Sequence, residues 1–257
     1  MIKAIGIIPA RMGASRFPGK PMAPLLGMPM IGHCYHRTRL APGLSAAYVA
    51  TCDDPIADYI TEIGGRALIT ASTHNRASTR TAEALEIIER ETDEQVEVIV
   101  MVQGDEPLIA PEIIGNTLQH FSDPAVGIVN VMSKLRTLEA FLDRNNVKVV
   151  VDSNSNALYF SREPIPSPWK GWEHLPRYMQ TGIIAFRREV LQQFNAMPET
   201  PLEKLESVDM NRVLETGGGI RMVPTDAFTI GVDTPEELAE AQHHLLNDPN
   251  LLRYMHR

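Results

Sequence analysis

The sequence predicts an α/β fold, in which a mostly parallel sheet carries helices on both faces and a small inserted subdomain. Strand-like and helix-like segments alternate through the first half of the chain. The strand-like segments are continuous apolar runs, which is typical of parallel strands that are covered on both faces. Loops with glycine and charged residues follow two of these strands, at the place where α/β sheets bind ligands.

The first half of the chain predicts four strands and four helices. Each strand is an apolar run, and each helix spaces its apolar residues three or four apart, as TAEALEIIERE does. The strands cover 3–10, 46–53, 66–70 and 96–105, and the helices cover 30–40, 55–64, 81–91 and 110–121.

The pattern loosens after the apolar run 126–135. Three strand-like pieces follow, VKVVVD, ALYFSR and GIIAFRR, with a Pro/Trp-rich loop before the last of them. We interpret about 130–190 as an inserted subdomain of one domain that covers 1–257. A helix over 202–217 and a strand over 220–227 return the chain to the core. The final helix begins after Thr234, which is a suitable N-cap because Pro235 follows it.

Composition excludes several classes of protein. The formal net charge of −8 argues against general nucleic-acid binding, which needs a basic face. No apolar segment is long enough to span a membrane or to serve as a signal peptide. Two cysteines form no disulfide framework and suit a reducing compartment. We therefore expect a cytoplasmic enzyme or binding protein of ordinary hydrophobic content.

The loop IIPARMGASRFPGKPM, residues 7–22, predicts a polyphosphate site. It lies between a buried strand and a helix, and Gly13 and Gly19 let backbone N–H groups approach an anion. Arg11, Arg16 and Lys20 could neutralise a triphosphate. The loop is not a Walker motif, because proline follows the lysine. The alternative is a solvated basic turn.

Two carboxylates follow strand-like segments elsewhere in the chain. Asp105 ends the run VQGD, and Asp233 lies between a strand-like stretch and the last helix. Oxygen ligands of this kind suit Mg²⁺ beside phosphates. The alternatives are a turn former at Asp105 and a helix cap at Asp233.

Five motifs together resemble the 3-deoxy-manno-octulosonate cytidylyltransferases, which make the CMP-activated sugar acid of lipopolysaccharide. The resemblance runs from about residue 3 to residue 245. The motifs, in order, are IIPARMGASRFPGKPM, VQGDEPLI, NVKVVVD, ALYFSREPIP and IGVDTPEELAEA.

The resemblance implies a Rossmann-like nucleotidyltransferase fold, CTP and a small acidic acceptor as substrates, Mg²⁺ as cofactor, and a homodimer. It implies that Asp105 and Asp233 bind magnesium and, with Arg11 and Lys20, are catalytic. The Ser-Gly-Thr-Glu-Arg stretch of the family reads RASTR here, which matches Arg80 to its base-binding arginine. The nucleotide-binding positions it implies are Ala10, Arg11, Gly13, Ser15, Arg16, Lys20, Arg80 and Gln103.

The acceptor side departs from the family pattern. A His-x-Gly-Ile-Tyr motif reads QTGII here, and a Leu-Glu-Gln-Leu-Arg run reads VDMNR. Losing hydrogen-bonding side chains should alter the choice of acceptor, unless other side chains compensate. The replaced positions are Gln180, Ile184, Asp209 and Met210. The retained positions are Arg162, which would bind the carboxylate of the acceptor, and Glu206.

Other interpretations stay open at this point. A different acid, such as a phosphonate, could be the acceptor. A nucleotide-binding protein without catalysis is a second alternative, and a kinase or hydrolase is a third, weakened by the missing Walker motif. Trp169 and Trp172, with Tyr178, could line an acceptor pocket, but aromatic residues at such positions more often pack a loop or a dimer contact.

Overall fold

The computed structural model describes residues 3–13 and 16–255. The strands are β1 (Ala4–Pro9), β2 (Pro24–Leu25), β3 (Met28–Pro29), β4 (Leu44–Thr51), β5 (Ala67–Ile69), β6 (Val98–Val102), β7 (Ile128–Lys134), β8 (Lys148–Val151), β9 (Ala157–Ser161), β10 (Tyr178–Arg187) and β11 (Arg221–Thr225). The helices are α1 (Met30–Arg39), α2 (Asp54–Glu62), α3 (Ala77–Thr92), α4 (Pro111–Gln119), α5 (Leu138–Leu142), α6 (Arg188–Ala196), α7 (Pro201–Glu206), α8 (Met210–Glu215) and α9 (Pro235–Leu245). Among the described residues, none of the helices is both long and apolar enough to cross a bilayer.

The central sheet is mostly parallel, as the sequence predicts. Its main path runs β11-β7-β10-β6-β1-β4-β5. β1 pairs in parallel with β4 and β6, β4 with β5, and β7 with β11. β10 is antiparallel to both of its neighbours on this path, β6 and β7. On this seven-strand path, one reversed strand therefore lies among six strands that share a direction.

Each central strand is apolar along its whole length because both of its faces are covered. Ile5 and Ile7 of β1 pack in a cluster that includes residues of α3 and α6. Ala4 and Ile8 of the same strand point to the opposite face, into a cluster with residues of α1, α2 and α4. The alternation of side chains along a strand therefore divides β1 between two hydrophobic cores.

Three features of the helices differ from the sequence prediction. The helix predicted over 202–217 is two short helices, because Ser207 adopts a left-handed φ of 52° that ends α7. α3 begins four residues earlier than predicted, so the RASTR stretch forms its first turn and not a loop. The short helices α5 and α6 were not predicted; they follow strands in the region where the periodicity weakens.

The segment 130–190 begins in β7 of the main sheet, includes β10 and ends in the first turn of α6. Between β7 and β10, β8 and β9 form an antiparallel pair, and β8 also pairs with the first residues of β10. The part of this segment that leaves the seven-strand path is therefore the β8–β9 hairpin with its flanking loops.

A bulge interrupts β10 where the strand passes the carboxyl end of β6. The register against β7 shifts between Gln180 and Ile184. Asn130 of β7 is fully buried, and its side-chain amide donates to the carbonyl oxygens of Thr181 and Ile183 at 3.1 and 2.8 Å. Because a bulge leaves backbone groups outside the ladder, these bonds stabilise its geometry. The bulge turns Gln180 away from the regular strand pattern.

A buried ion pair joins α7 to α8. The carboxylate of Glu203 is fully buried, and the guanidinium of Arg212 donates to its two oxygens at 2.7 and 2.6 Å. Arg212 also donates to the carbonyl oxygens of Phe194 and Met197. Burial by itself raises the pKa of Glu203, but the bonds from Arg212 and from the N–H of Thr200 lower it by more. The pair is therefore ionised and fully bonded in the folded protein.

We predict that Arg212→Met lowers the free energy of unfolding by about 3–5 kcal/mol, because it leaves the Glu203 carboxylate buried without a partner. Arg66→Met is the matched control: Arg66 pairs with Glu91 on the surface, where both side chains are 46% exposed, so its loss should cost at most about 1 kcal/mol. Urea denaturation at neutral pH measures both. Equal effects of the two substitutions would contradict the prediction.

Candidate functional site

Two cavities of about 320 and 360 Å³ lie side by side beyond the carboxyl ends of β1 and β6. They share the side chains or backbone of Asn75, Arg76, Ala77, Gln103, Asp105 and Asp233. The first is also lined by Pro9, Ala10, Arg11, Gly13, Arg16, Lys20, Pro21, His74, Arg80 and Gly104. The second extends towards β8, β10 and α8. A ligand in one cavity therefore meets a ligand in the other at the shared carboxylates.

The basic loop after β1 closes one side of the first cavity. Its backbone reverses at Gly19, whose φ of 76° is left-handed and therefore suits glycine. The N–H of Gly19 donates to the carbonyl of Met12 at 2.9 Å. The N–H of Met12 in turn donates to the carboxylate of Asp53, at 2.8 Å, just before α2. The first of these bonds closes the loop on itself, and the second attaches it to the segment before α2.

Lys20 brings the two predicted metal carboxylates together. Its ammonium donates to Asp105 at 2.6 Å, to Asp233 at 2.9 Å and to the carbonyl of Val232 at 2.9 Å. Burial lowers the pKa of Lys20, but Asp105 and then Asp233 raise it by more, so the amine stays charged. These three bonds use all three ammonium protons. Residues from three distant parts of the chain therefore converge on one cation.

Asp233 is not a cap of α9. Thr234 caps that helix, as the sequence predicts, because its hydroxyl accepts from the N–H of Glu237 at 3.2 Å. The second oxygen of Asp233 accepts from Arg16 at 2.6 Å, and Arg16 also donates to Asn145 at 2.7 Å. The carboxylate therefore faces the cavities and not the helix axis.

The opposite wall of the first cavity is formed by β6 and α3. Arg80 is 3% exposed, and it donates to the hydroxyl of Thr70 and to the sulfur of Cys52. Gln103 follows β6, and its N–H donates to the carbonyl of Gly182 at 3.1 Å. The first turn of α3 also lines this cavity, so the positive end of a 16-residue helix faces it. These groups suit a ligand that carries negative charge and also has groups that form hydrogen bonds.

Arg162 follows β9 and lines the second cavity. Its Nε donates to the carbonyl of Glu206 at 2.8 Å, and its Nη1 donates to the carbonyl of Arg144 at 2.9 Å. The carboxylate of Glu206 accepts from the N–H of Arg162 and the hydroxyl of Ser161, both at 2.8 Å. Burial raises the pKa of Glu206, but these bonds lower it by more. Glu206 therefore orients Arg162 and does not itself line the cavity.

The comparisons with known proteins agree with this site. A family model described as "Cytidylyltransferase" matches residues 5–222. A 3-deoxy-manno-octulosonate cytidylyltransferase of Trichlorobacter lovleyi is 40% identical over 255 residues, which cover 95% of this chain and 99% of that protein. The chain belongs to the 3-deoxy-manno-octulosonate cytidylyltransferase family. A member of the same name from Escherichia coli is 37% identical, with coverage of 91% of this chain and 93% of that protein.

Solved structures give the same result for this cytidylyltransferase. A CMP:2-keto-3-deoxy-manno-octonic acid synthetase complexed with CTP superposes with a TM-score of 0.86 at 35% identity, covering 95% of this chain and 98% of that one. A putative glucose-1-phosphate thymidylyltransferase from Bacillus anthracis matches with a TM-score of 0.67 at 17% identity, which shows a shared fold. The predicted Rossmann-like nucleotidyltransferase fold is confirmed.

The structure collects most of the predicted nucleotide positions of this cytidylyltransferase in one place. Ser15 lies outside the described residues. The others all line the first cavity: Ala10, Arg11, Gly13, Arg16, Lys20, Arg80 and Gln103. Their assignment as nucleotide ligands stays a prediction, although their placement around one cavity is what that assignment requires.

The four replaced acceptor positions are not equivalent in the structure. Gln180, Ile184 and Asp209 line the second cavity. Met210 is fully buried in the core beneath α3 and α6, so its replacement does not change the cavity wall. Trp169 and Trp172 line neither cavity: Trp169 is 87% exposed, and Trp172 packs against the guanidinium of Arg177 at 4.0 Å. The aromatic loop therefore does not form the acceptor pocket in this structure.

Sequence reasoning missed three groups at the site. Arg76 lines both cavities, and its signal was present because it begins the RASTR stretch. Glu106 lines the second cavity and is 7% exposed; burial raises its pKa to about 7, although the N–H of Gly182 opposes this rise. Lys148 is fully buried, and its ammonium donates to three carbonyl oxygens, which include that of Arg162. No local pattern distinguishes these last two from surface charges.

The carboxylate pair fits a magnesium ion that is completed by substrate oxygens. Asp105 and Asp233 each present an oxygen within 3 Å of the same ammonium, so both oxygens point to one place. The described residues contain no cluster of three or more His, Cys, Asp or Glu that could hold a metal alone. Mg²⁺ commonly binds through one or two carboxylates together with substrate phosphates. The donors present here match that arrangement.

Proposed function

We propose that this protein transfers CMP from CTP to 3-deoxy-manno-octulosonate, or to a related 3-deoxy-2-keto sugar acid, and releases pyrophosphate. One observation carries the proposal: the two cavities meet at Asp105, Asp233 and Gln103, so that a nucleotide and an acid can react there. The names of its relatives support this choice of substrates.

In this reaction an acceptor hydroxyl oxygen attacks the α-phosphorus of CTP. A new oxygen–phosphorus bond forms, and the bond from the α-phosphorus to the oxygen that bridges the α- and β-phosphates breaks. That oxygen leaves as part of pyrophosphate, and the proton of the acceptor hydroxyl passes to water. Arg11 and Arg16 line the first cavity and would neutralise the leaving phosphates. Lys20 lines the same cavity, and its ammonium, which bonds the two carboxylates, would lie beside these phosphates. The protein thus acts by alignment and charge neutralisation.

Asp105 and Asp233 would hold Mg²⁺, which supplies charge stabilisation at the α-phosphate when it is bound. Gln103 and Arg80 would contact the cytosine from the opposite wall, where both line the first cavity.

Arg162 would anchor the carboxylate of the acceptor, because a guanidinium matches that planar anion. Nη2 is the nitrogen of its guanidinium that makes no hydrogen bond to the described residues. Lys148 and Glu206 position Arg162 by bonding its backbone. We also propose that the enzyme is cytoplasmic and works as a homodimer formed partly by residues 130–180, where Trp169 is exposed.

The test is pyrophosphate release with CTP, Mg²⁺ and 3-deoxy-manno-octulosonate, beside a panel of other sugar acids and phosphonates. We expect turnover with the octulosonate. A phosphonate is the second candidate, because Ile184 presents an apolar surface to the second cavity where the family has a tyrosine. Turnover with a phosphonate alone would favour that candidate. CTP binding without pyrophosphate release for any acid would favour a non-catalytic protein, and release of CDP would favour a kinase.

Lys20→Ala should lower kcat/KM for CTP by about a hundredfold, because it removes a cation that contacts developing negative charge. Steady-state pyrophosphate release measures this effect. Lys204→Ala is the control, since its side chain is 61% exposed and distant in sequence from the loop. Wild-type turnover in Lys20→Ala would contradict the assignment of the loop as a triphosphate site.

Asp233→Asn should abolish magnesium-dependent turnover and leave the fold intact, because the amide keeps the shape of the side chain but not its charge. Pyrophosphate release across a magnesium titration measures the first effect, and circular dichroism measures the second. Asp58→Asn, an exposed position on α2, is the control. If Asp233→Asn retained full activity, Asp233 would have only a structural role.

A further inference from the structure

Two buried polar atoms line the second cavity without a partner. Glu106 is 7% exposed and Thr229 is 8% exposed. Neither Oε2 of Glu106 nor Oγ1 of Thr229 forms a hydrogen bond with any of the described residues. Both residues belong to the wall of the cavity that also contains Arg162. A buried polar atom without a partner is costly, so each such atom points to a ligand group that bonds to it.

The backbone brings these two residues to the same wall. The N–H of Val232 donates to the carbonyl of Asp105 at 2.8 Å, which ties the segment that contains Thr229 to the loop that contains Glu106. The other oxygen of Glu106 accepts from the N–H of Gly182 in the bulge of β10. That bond fixes the orientation of the carboxyl group and leaves Oε2 without a partner among the described residues.

We propose that Glu106 and Thr229 form a hydroxyl-binding subsite that selects the acceptor. An acceptor hydroxyl bound between them would donate to Oε2 of Glu106 and accept from the hydroxyl of Thr229, which would give both atoms a partner. A methylene or methyl group in the same place would leave both unpaired. The inference rests on the proposed function, because it takes the second cavity as the acceptor site.

This subsite has a different task from that of Arg162. Arg162 recognises the negative charge that every acid of the class carries. Glu106 and Thr229 recognise one hydroxyl of the polyhydroxylated chain. They lie on the wall of the cavity that is formed by the loop after β6 and the segment before α9. Sites that hydrogen-bond a substrate hydroxyl discriminate strongly against analogues that lack it. The pair therefore compensates on one wall for the apolar Ile184 on another.

The experiment uses 3-deoxy-manno-octulosonate and a series of analogues that each lack one further hydroxyl. Acceptor KM and kcat are measured for the wild-type enzyme, Thr229→Val, Thr229→Ser and Glu106→Gln. We expect Thr229→Val to raise the acceptor KM by about tenfold, the cost of one lost hydrogen bond, with the KM for CTP unchanged. With the wild-type enzyme, the analogue that lacks the recognised hydroxyl should show the same rise in acceptor KM. Thr229→Val should use that analogue and the parent acid with equal KM.

Glu106→Gln should reduce discrimination for the same hydroxyl, and Thr229→Ser should restore it. Thr117→Val is the matched control, because Thr117 is fully buried in α4 and lines neither cavity. The acceptor KM of this variant should equal that of the wild-type enzyme. If Thr229→Val discriminates between the parent acid and each analogue as the wild-type enzyme does, the proposed subsite is contradicted, while the proposed function stands. Failure of the wild-type enzyme to use any acid would overturn the proposed function, and the subsite with it.

Discussion

The ion pairs of Lys20 are the constraint on which the site depends. One ammonium bonds a carboxylate at the end of β6, a second carboxylate before α9, and the carbonyl of Val232. Two carboxylates held close together repel each other, and the cation between them offsets that repulsion. The loop after β1, the loop after β6 and the last segment of the chain therefore meet at one point. Both cavities open from that point.

The reversed strand β10 contributes its bulge to the wall of the second cavity. Its bulge is fixed from both sides, by the amide of Asn130 and by the carboxyl group of Glu106. Gly182 lies within this bulge, and a side chain there would collide with Gln103 and Glu106. The close approach places Gln103 on the wall that the two cavities share. A strand that had continued without the bulge would direct Gln180 differently and change the second cavity.

Lys148 and Glu206, the two charged residues that bond the backbone of Arg162, also bond other groups around it. Lys148 donates to three carbonyl oxygens, and burial lowers its pKa despite the nearby Asp143 carboxylate. Glu206 accepts from the backbone of Arg162 and from two hydroxyl groups. Such bonds hold the Arg162 side chain in one orientation, and a side chain that is ordered in advance costs less to order when a ligand binds. Lys148 and Glu206 do so from positions outside the lining of the second cavity.

The sequence by itself determined the α/β fold, the basic loop, the carboxylates Asp105 and Asp233, and the Thr234 cap, because each depends on local patterns or on short motifs at the ends of strands. Only the tertiary structure decided that Met210 belongs to the core, that Lys20 bonds both carboxylates, and that Glu106 and Thr229 line the second cavity together. These outcomes depend on contacts between residues far apart in the chain, such as Lys20 with Asp105, 85 positions away, and with Asp233, 213 positions away. The periodicity of one segment does not indicate which distant segment will pack against it. That is the physical reason why the sequence alone did not predict these contacts.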